Sequence, residues 1–363
     1  MSGGDAKPVY VAPPTRCVRL AEIVARDGGS FERREPAERT EYALPAHATA
    51  EVAAYLRTRA VAEDRERFFA RLPEGRVFGS GAVLSARGDW LARDVSEDLG
   101  KPFERHWLLG FGKMREPERL TGASAVVAVN LGAGYCHWLL EELPRLLALE
   151  RGEVDNVVAN FSEAFAREAW AWRGGGERVV AARRHGHLAC GPLVVPSLAD
   201  APCEPTRRSV ERVREFAEGL GREAALRAGR GERIYVTREK ARRRRVANEA
   251  ALWAELERRG FAKVVLEELP WAEQIAVFRA ARVVVAPHGA GLANLVFCEP
   301  GTRVVELVNR DYFNPVFWRV AALRGLDYRA VLSAGEGPIR EKASAGGDDV
   351  VVDLARLCVE LGD

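Results

Sequence analysis

A histidine set inside a glycine loop, Pro287-His288-Gly289-Ala290-Gly291, follows the apolar run VVVA at 283–286 and precedes Leu292-Ala293-Asn294-Leu295. The pattern predicts a buried strand, a loop with little side-chain bulk and a short helix. Gly289 and Gly291 let the backbone bend and approach a ligand closely. The free N–H groups and positive dipole end of a following helix face the same loop and suit an anion. His288 adds a donor that is neutral or charged near pH 7. Phosphate is the matching ligand. A dinucleotide fingerprint fits less well, because Asn294 stands where a third glycine belongs and only about ten residues separate the loop from the next strand. A glycine turn with a capped helix and a satisfied histidine is the alternative without function.

Two further groups carry chemistry. In HWLLEELPRLLALE, 137–150, stepping about 100° per residue from His137 places Glu141 near 40° and Arg145 near 80°, with leucines on the other face. A carboxylate four residues from both His137 and Arg145 is a candidate general base with tuned proton affinity, or else one member of a solvated ion-pair face. Pro144 predicts a kink that frees the carbonyl of Leu140. In IYVTREKARRRRVANE, 234–249, Arg238 closes a strand and Arg242, Arg243, Arg244 and Arg245 precede a helix starting near Asn248-Glu249. An arginine at a strand end can meet phosphate bidentately. Read as a nucleic-acid patch, the run lacks interleaved aromatics. There is no Asp-x-Asp, no metal-ligand spacing, no Gly-x-Ser-x-Gly and no P-loop, so arginines, a histidine and a helix end would have to offset charge.

The elements that must position these residues read as alternating α/β. Strands at 123–130, 154–160 and 177–182 alternate with helices, after a stretch with hairpin punctuation at 75–98. The proline-bearing stretch 190–209 predicts the interdomain linker. Beyond it come a helix at 207–228, strands at 232–237, 262–267, 282–286 and 302–307, and helices at 247–259 and 271–281. We expect an N-terminal domain over 1–200, with return of 335–363 to it, and a C-terminal nucleotide-binding domain over 207–334.

The whole chain excludes several classes. It has 363 residues, 47% hydrophobic and 29% charged, with a net charge of +2. That near-neutral balance argues against nucleic acid as partner. No apolar run is long enough for a transmembrane segment, and MSGGDAKPVY lacks the parts of a signal peptide. The expectation is a cytoplasmic protein, at most peripheral at the inner membrane surface. Six cysteines, at 17, 136, 190, 203, 298 and 358, are scattered without pairing motifs.

The stretches YCHWLLEELPRL, YVTREKARRRRVANE and LEELPWAEQIAVFRAARVVVAPHGAGLANLVFCEPGTRVVEL, with RVFGSGAVLSARGDWLARD less closely, resemble glycosyltransferase family 61, densest from 232 onward. That family includes bacterial capsular-polysaccharide enzymes, the type expected here, plant xylan-decorating transferases and animal O-linked N-acetylglucosaminyltransferases. The resemblance implies a GT-B-like fold of two Rossmann-like domains facing across a cleft. It also implies inverting transfer without a metal or tightly bound cofactor, from a nucleotide diphosphate sugar, UDP-sugar favoured, to a carbohydrate or glycoconjugate acceptor. Carried over by motif, Arg238, Arg245 in preference to Arg244, and His288 with Gly289, Ala290, Gly291, Leu292 and Asn294 contact the nucleotide diphosphate. Gln274 and Glu306 match recurrent positions, Glu306 being assigned to the ribose. Glu141 falls on the acidic position of the N-terminal motif and is read as the base, assisted by His137. The other readings are a non-catalytic nucleotide-binding protein of this fold, a nucleic-acid binder using 242–245, and a nicotinamide-dependent oxidoreductase.

Overall fold

The computed structural model describes residues 9–63, 65–99, 101–225, 231–333, 335, 337–341 and 349–362. The chain divides into two compact α/β units, Met1–Glu38 with Arg65–Pro202, and Arg39–Asp64 with Cys203–Asp363.

The first unit holds two six-stranded sheets. One runs in the order Arg178–Ala181, Asn156–Ala159, Ser124–Val126, Leu193–Pro196, Arg67–Leu72 and Ser30–Glu35. Its first four strands are mutually parallel and its last two pairings antiparallel. Val126, Val158, Val195 and Leu72 meet Val77 and Val83 in one apolar core. The other sheet contains the antiparallel strands Gly75–Phe78, Ala82–Leu84 and Trp90–Ala92, the hairpins that the Gly and Asp turns predict. The stretch expected to be a linker is partly sheet: Leu193–Pro196 is a buried central strand, and the unit ends only at Pro202. Its prolines misled because one lies in a turn before the strand and another at its last position, where the ladder ends.

The second unit is built on five parallel strands in the order Ala262–Val264, Arg233–Val236, Val283–Pro287, Arg303–Val308 and Asp327–Leu332. The interior strands read as nearly continuous Val, Ile and Leu because helices cover both faces. Helix Arg207–Ala225 packs on helix Trp271–Ala280; residues 226–228 of the expected helix lie outside the described residues. Helix Leu354–Leu361 packs on the last two strands, and Leu357 and Leu361 share a core with Leu252, Leu256 and Val305. The described part of 335–363 therefore belongs to this unit and not to the N-terminal one, because that helix's apolar face finds its partners here. Residues 39–64 also sit here: Tyr55 stacks on Phe313 at 5.2 Å, and Trp318 Nε1 donates to the Ala43 carbonyl at 3.0 Å.

Candidate active site

In chain order the second unit's strands lie 2-1-3-4-5, so the order reverses between Arg233–Val236 and Val283–Pro287. Open parallel sheets bind ligands beyond the carboxyl ends of the strands at such a reversal. Arg238 follows the first of these strands and His288 the second. The segment leaving the first strand is pinned, since the hydroxyls of Tyr235 (2.9 Å) and Thr237 both donate to Glu249 at the start of helix Glu249–Arg258. Arg238 lies directly over the glycine loop: a Cβ on Gly289 would fall 2.0 Å from its Nη1. Gly289 is extended, with φ 178°, so close approach and not a bend requires glycine there. At Gly291 the obstacle would be Leu266 Cδ1, at 2.6 Å. The loop continues into the 3-10 helix Ala290–Phe297, in which Leu292 already donates to the Gly289 carbonyl at 2.9 Å. The amides ahead of Leu292 are the ones an anion could meet, and the Leu292 side chain is buried.

His288 is fixed from behind. Its Nδ1 bonds Oε1 of Glu306, whose Oε2 accepts from the Tyr328 hydroxyl at 2.6 Å. All three side chains are buried, and burial with the Glu306 charge holds the Tyr328 phenol well above its usual range, so it stays a donor. The ribose assignment for Glu306 is thereby corrected. The residue is wholly inaccessible with both oxygens engaged, and it sets the tautomer of His288, leaving Nε2 for other work. Gln274 and Asn294 also turn inward. The Gln274 amide donates to the carbonyls of Leu266 and Leu269, both at 3.1 Å, and the fully buried Asn294 donates to Gln274 and to the Gly291 carbonyl. They hold the loop's shape and are corrected from contact to positioning residues.

Within the arginine run the geometry favours Arg244 over Arg245. Arg245 pairs with Asp349 through its side chain (3.1 Å) and backbone N–H (2.9 Å). Arg244 adopts a left-handed φ of 57° and lays its guanidinium over the Tyr312 ring at 4.8 Å. That ring stands edge-on to His288, with centroids 5.3 Å apart. Arg238 donates to the carbonyls of Arg243 (3.1 Å) and Arg244 (3.1 Å), which curls the run back over the loop. Burial, then the neighbouring Arg244, lowers the Arg238 pKa. Spacing to Asn248 pointed to Arg245 because a left-handed residue reverses the chain's direction, which no residue count registers. Tyr312 and Tyr328 carry no sequence signal of their own.

In the first unit, His137 and Glu141 come together as expected, Nδ1 to Oε1 at 2.8 Å. Burial disfavours the imidazolium, yet the bond and charge of Glu141 carry the His137 pKa above its ordinary value. Between Tyr135–His137 and Leu143–Leu146 the helix is a π turn, Trp138–Glu142. That turn sits just before Pro144, which removes a donor from the ladder. It also shifts the register, and Arg145 leaves the expected stripe. Arg145 is buried and donates to the carbonyls of Pro196 (2.9 Å) and Ala128 (3.0 Å), with burial lowering its pKa to about 10. Glu142, absent from the sequence reading, is buried beneath the strand ends. It accepts from the backbone of Val129 (3.1 Å) and Asn160 (2.7 Å) and from the Asn160 amide (2.6 Å). Burial pushes its pKa up to about 8 against these donors.

Part of the chain is similar to known proteins. Residues 135–305, which include His137, Glu141, Arg238 and His288, match the model of the family described as Glycosyltransferase 61. A beta-1,2-xylosyltransferase of Oryza sativa subsp. japonica is 37% identical over 90 residues, 25% of this chain and 16% of its own. An EGF domain-specific O-linked N-acetylglucosamine transferase of Drosophila melanogaster is 34% identical over 100 residues, 27% of this chain and 19% of its own. A protein O-linked-mannose beta-1,4-N-acetylglucosaminyltransferase 2 of Tetraodon nigroviridis is 33% identical over 129 residues, 33% of this chain and 22% of its own. The matched part is thus less than a quarter of each relative's length. These similarities support a transferase enzyme. The family they support is glycosyltransferase 61.

Proposed function

We propose that the chain is an inverting, metal-independent glycosyltransferase with a GT-B arrangement of two Rossmann-like domains. It moves a sugar from a nucleotide diphosphate sugar, UDP-sugar favoured, to a carbohydrate or glycoconjugate hydroxyl. Cytoplasmic synthesis of a bacterial surface polysaccharide is the setting that fits this reading. The observation that carries it is Arg238 lying over Gly289 beside His288, with the Arg244 guanidinium on the Tyr312 ring that meets His288, at the strand-order reversal of the second unit. Two guanidiniums and the loop amides supply the charge that a departing diphosphate needs, and His288, its Nδ1–H held by Glu306, donates to it through Nε2 in the imidazolium form. Glu141 takes the proton of the acceptor hydroxyl, and His137, hydrogen-bonded to it, fixes the carboxylate's orientation. The hydroxyl oxygen bonds the anomeric carbon as the bond to diphosphate breaks, which inverts that centre.

The test is thermal shift with UDP, GDP, CDP, dTDP and NAD, with and without EDTA, in wild type and His288→Ala. A selective shift for one nucleoside diphosphate that survives EDTA and is lost in the variant is expected. No shift with any nucleoside diphosphate sinks the reading, and a shift abolished by EDTA sinks its metal independence.

A further inference from the structure

The parallel strands of the first unit's sheet lie 3-2-1-4 in chain order, with a reversal between Ser124–Val126 and Leu193–Pro196. Residues just beyond those two strand ends, Ala128, Val129 and Asn130 on one side and Leu198 on the other, line a cavity of about 310 Å³. That volume lies at the low end of small-ligand sites, on the order of 300–1,000 Å³. A narrower crevice shares Glu97, Val129, Asn130 and Leu198 with it and reaches His137 and Glu141. The cavity thus adjoins the candidate base.

Its outer wall is aromatic. Trp107, 43% exposed, meets Phe111 edge to face at 5.6 Å, and Phe111 stacks on His185 at 5.9 Å. An indole this exposed is held in place by its own loop. Buried Arg93 donates to the carbonyls of Ser96 (2.7 Å), Asp98 (3.1 Å), Lys101 (3.3 Å) and Arg105 (3.3 Å), and the Asp98 carboxylate accepts from the backbone N–H of Trp107 at 2.8 Å. Asn130, Ser80 and Arg184 place an amide, a hydroxyl and a guanidinium on the remaining walls. A ring with an apolar C–H face and a polar edge matches such a lining, since the face lies on the aromatics and the edge meets the polar groups.

We infer that this cavity is the subsite for one pyranose ring of the acceptor, seated on Trp107 and Phe111 with a hydroxyl turned past Asn130 toward Glu141. The inference rests on the glycosyltransferase reading and narrows it, because it assigns a sugar and not a peptide side chain to the acceptor position. The test is saturation-transfer NMR with the methyl pyranosides of glucose, galactose, mannose and xylose, on wild type, Trp107→Ala, Trp107→Phe, Asn130→Ala and, as control, Trp172→Ala. UDP melting shifts are read in the same samples. At least one pyranoside is expected to give transfer that falls about tenfold in Trp107→Ala, recovers in Trp107→Phe and weakens in Asn130→Ala. The control and the UDP shifts stay unchanged. Absence of transfer from all four pyranosides, or transfer that survives both alanine variants, overturns the subsite. Loss of the UDP shift in every sample instead counts against the donor reading alone.

Discussion

Glu306 holds Nδ1–H of His288 while Tyr328 holds Glu306, so the ring can donate to an anion only through Nε2 and only as the imidazolium. Glu306→Gln leaves the volume but offers an amide that can present either end to the ring. Turnover should fall roughly 10²- to 10³-fold, the range for losing one preorganised charge-stabilising donor, while UDP affinity falls by a smaller factor. Equal losses in kcat and UDP affinity would assign Glu306 to binding. The two adjacent arginines separate as sharply. Arg244 is unoccupied by any carboxylate among the described residues and lies beside the loop, whereas Arg245 is paired with Asp349. Arg244→Ala should weaken UDP binding about tenfold or more, as loss of a charge-assisted contact does, and Arg245→Ala less than about twofold. Calorimetric titration decides, and the reverse ranking would restore the assignment that spacing favoured. Glu141 has its own signature. Because it raises the His137 pKa against the effect of burial, the pair's stabilisation is complete below about 6.5 and fades as pH rises through the raised value. In Glu141→Gln the His137 NMR titration should move down; an unmoved midpoint would show that the carboxylate does not tune the ring.

At the scale of elements, the helix over 135–146 links a sequence feature to a site. Pro144 cannot donate to the turn before it, and the π turn Trp138–Glu142 absorbs the mismatch. The same change of register sends Glu142 under the ends of Ser124–Val126 and Asn156–Ala159, where Val129 and Asn160 close on it. A Cβ on Gly132 would fall 2.3 Å from the Glu142 carboxylate, so the loop there has room only for glycine. Burial raises the Glu142 pKa from 4.5 to about 8. The folded state therefore holds this proton longer than the unfolded chain, and this group's contribution to stability falls as pH rises from about 4.5 to about 8. Urea unfolding at pH 5 and pH 8 should show that decline in wild type and a flatter profile in Glu142→Gln. A wild-type slope of the opposite sign would mean that the three N–H donors outweigh burial. Regular α-periodicity made the His137–Glu141 pairing legible, since side chains four apart still meet across the π turn. It could not place Arg145 or Glu142, whose directions depend on how the backbone answers Pro144.

Across the whole molecule, the sequence marks strands and loops but not the order in which strands pair. VVVA followed by His-Gly-Ala-Gly announced the loop, and Arg238 announced a strand end; that these two ends flank the reversal in a 2-1-3-4-5 sheet is a tertiary fact. Membership of 39–64 in the second unit was equally hidden, because its anchors, Tyr42 to Pro205 and Tyr55 to Phe313, span 163 and 258 residues. Each unit has a strand-order reversal with candidate chemistry at its carboxyl ends, His288 with Arg238 in one and Glu141 in the other. Two ligand chemistries should then register separately along the chain. Hydrogen exchange with saturating UDP should slow the amides of 237–245 and 288–297 while those of 124–142 exchange unchanged. A nucleotide at about 100 times its Kd adds roughly 2.7 kcal/mol to the unit that binds it, enough to slow globally protected amides about a hundredfold. Slowing centred on 124–142 would place the nucleotide in the first unit and exchange the donor and acceptor roles assigned here.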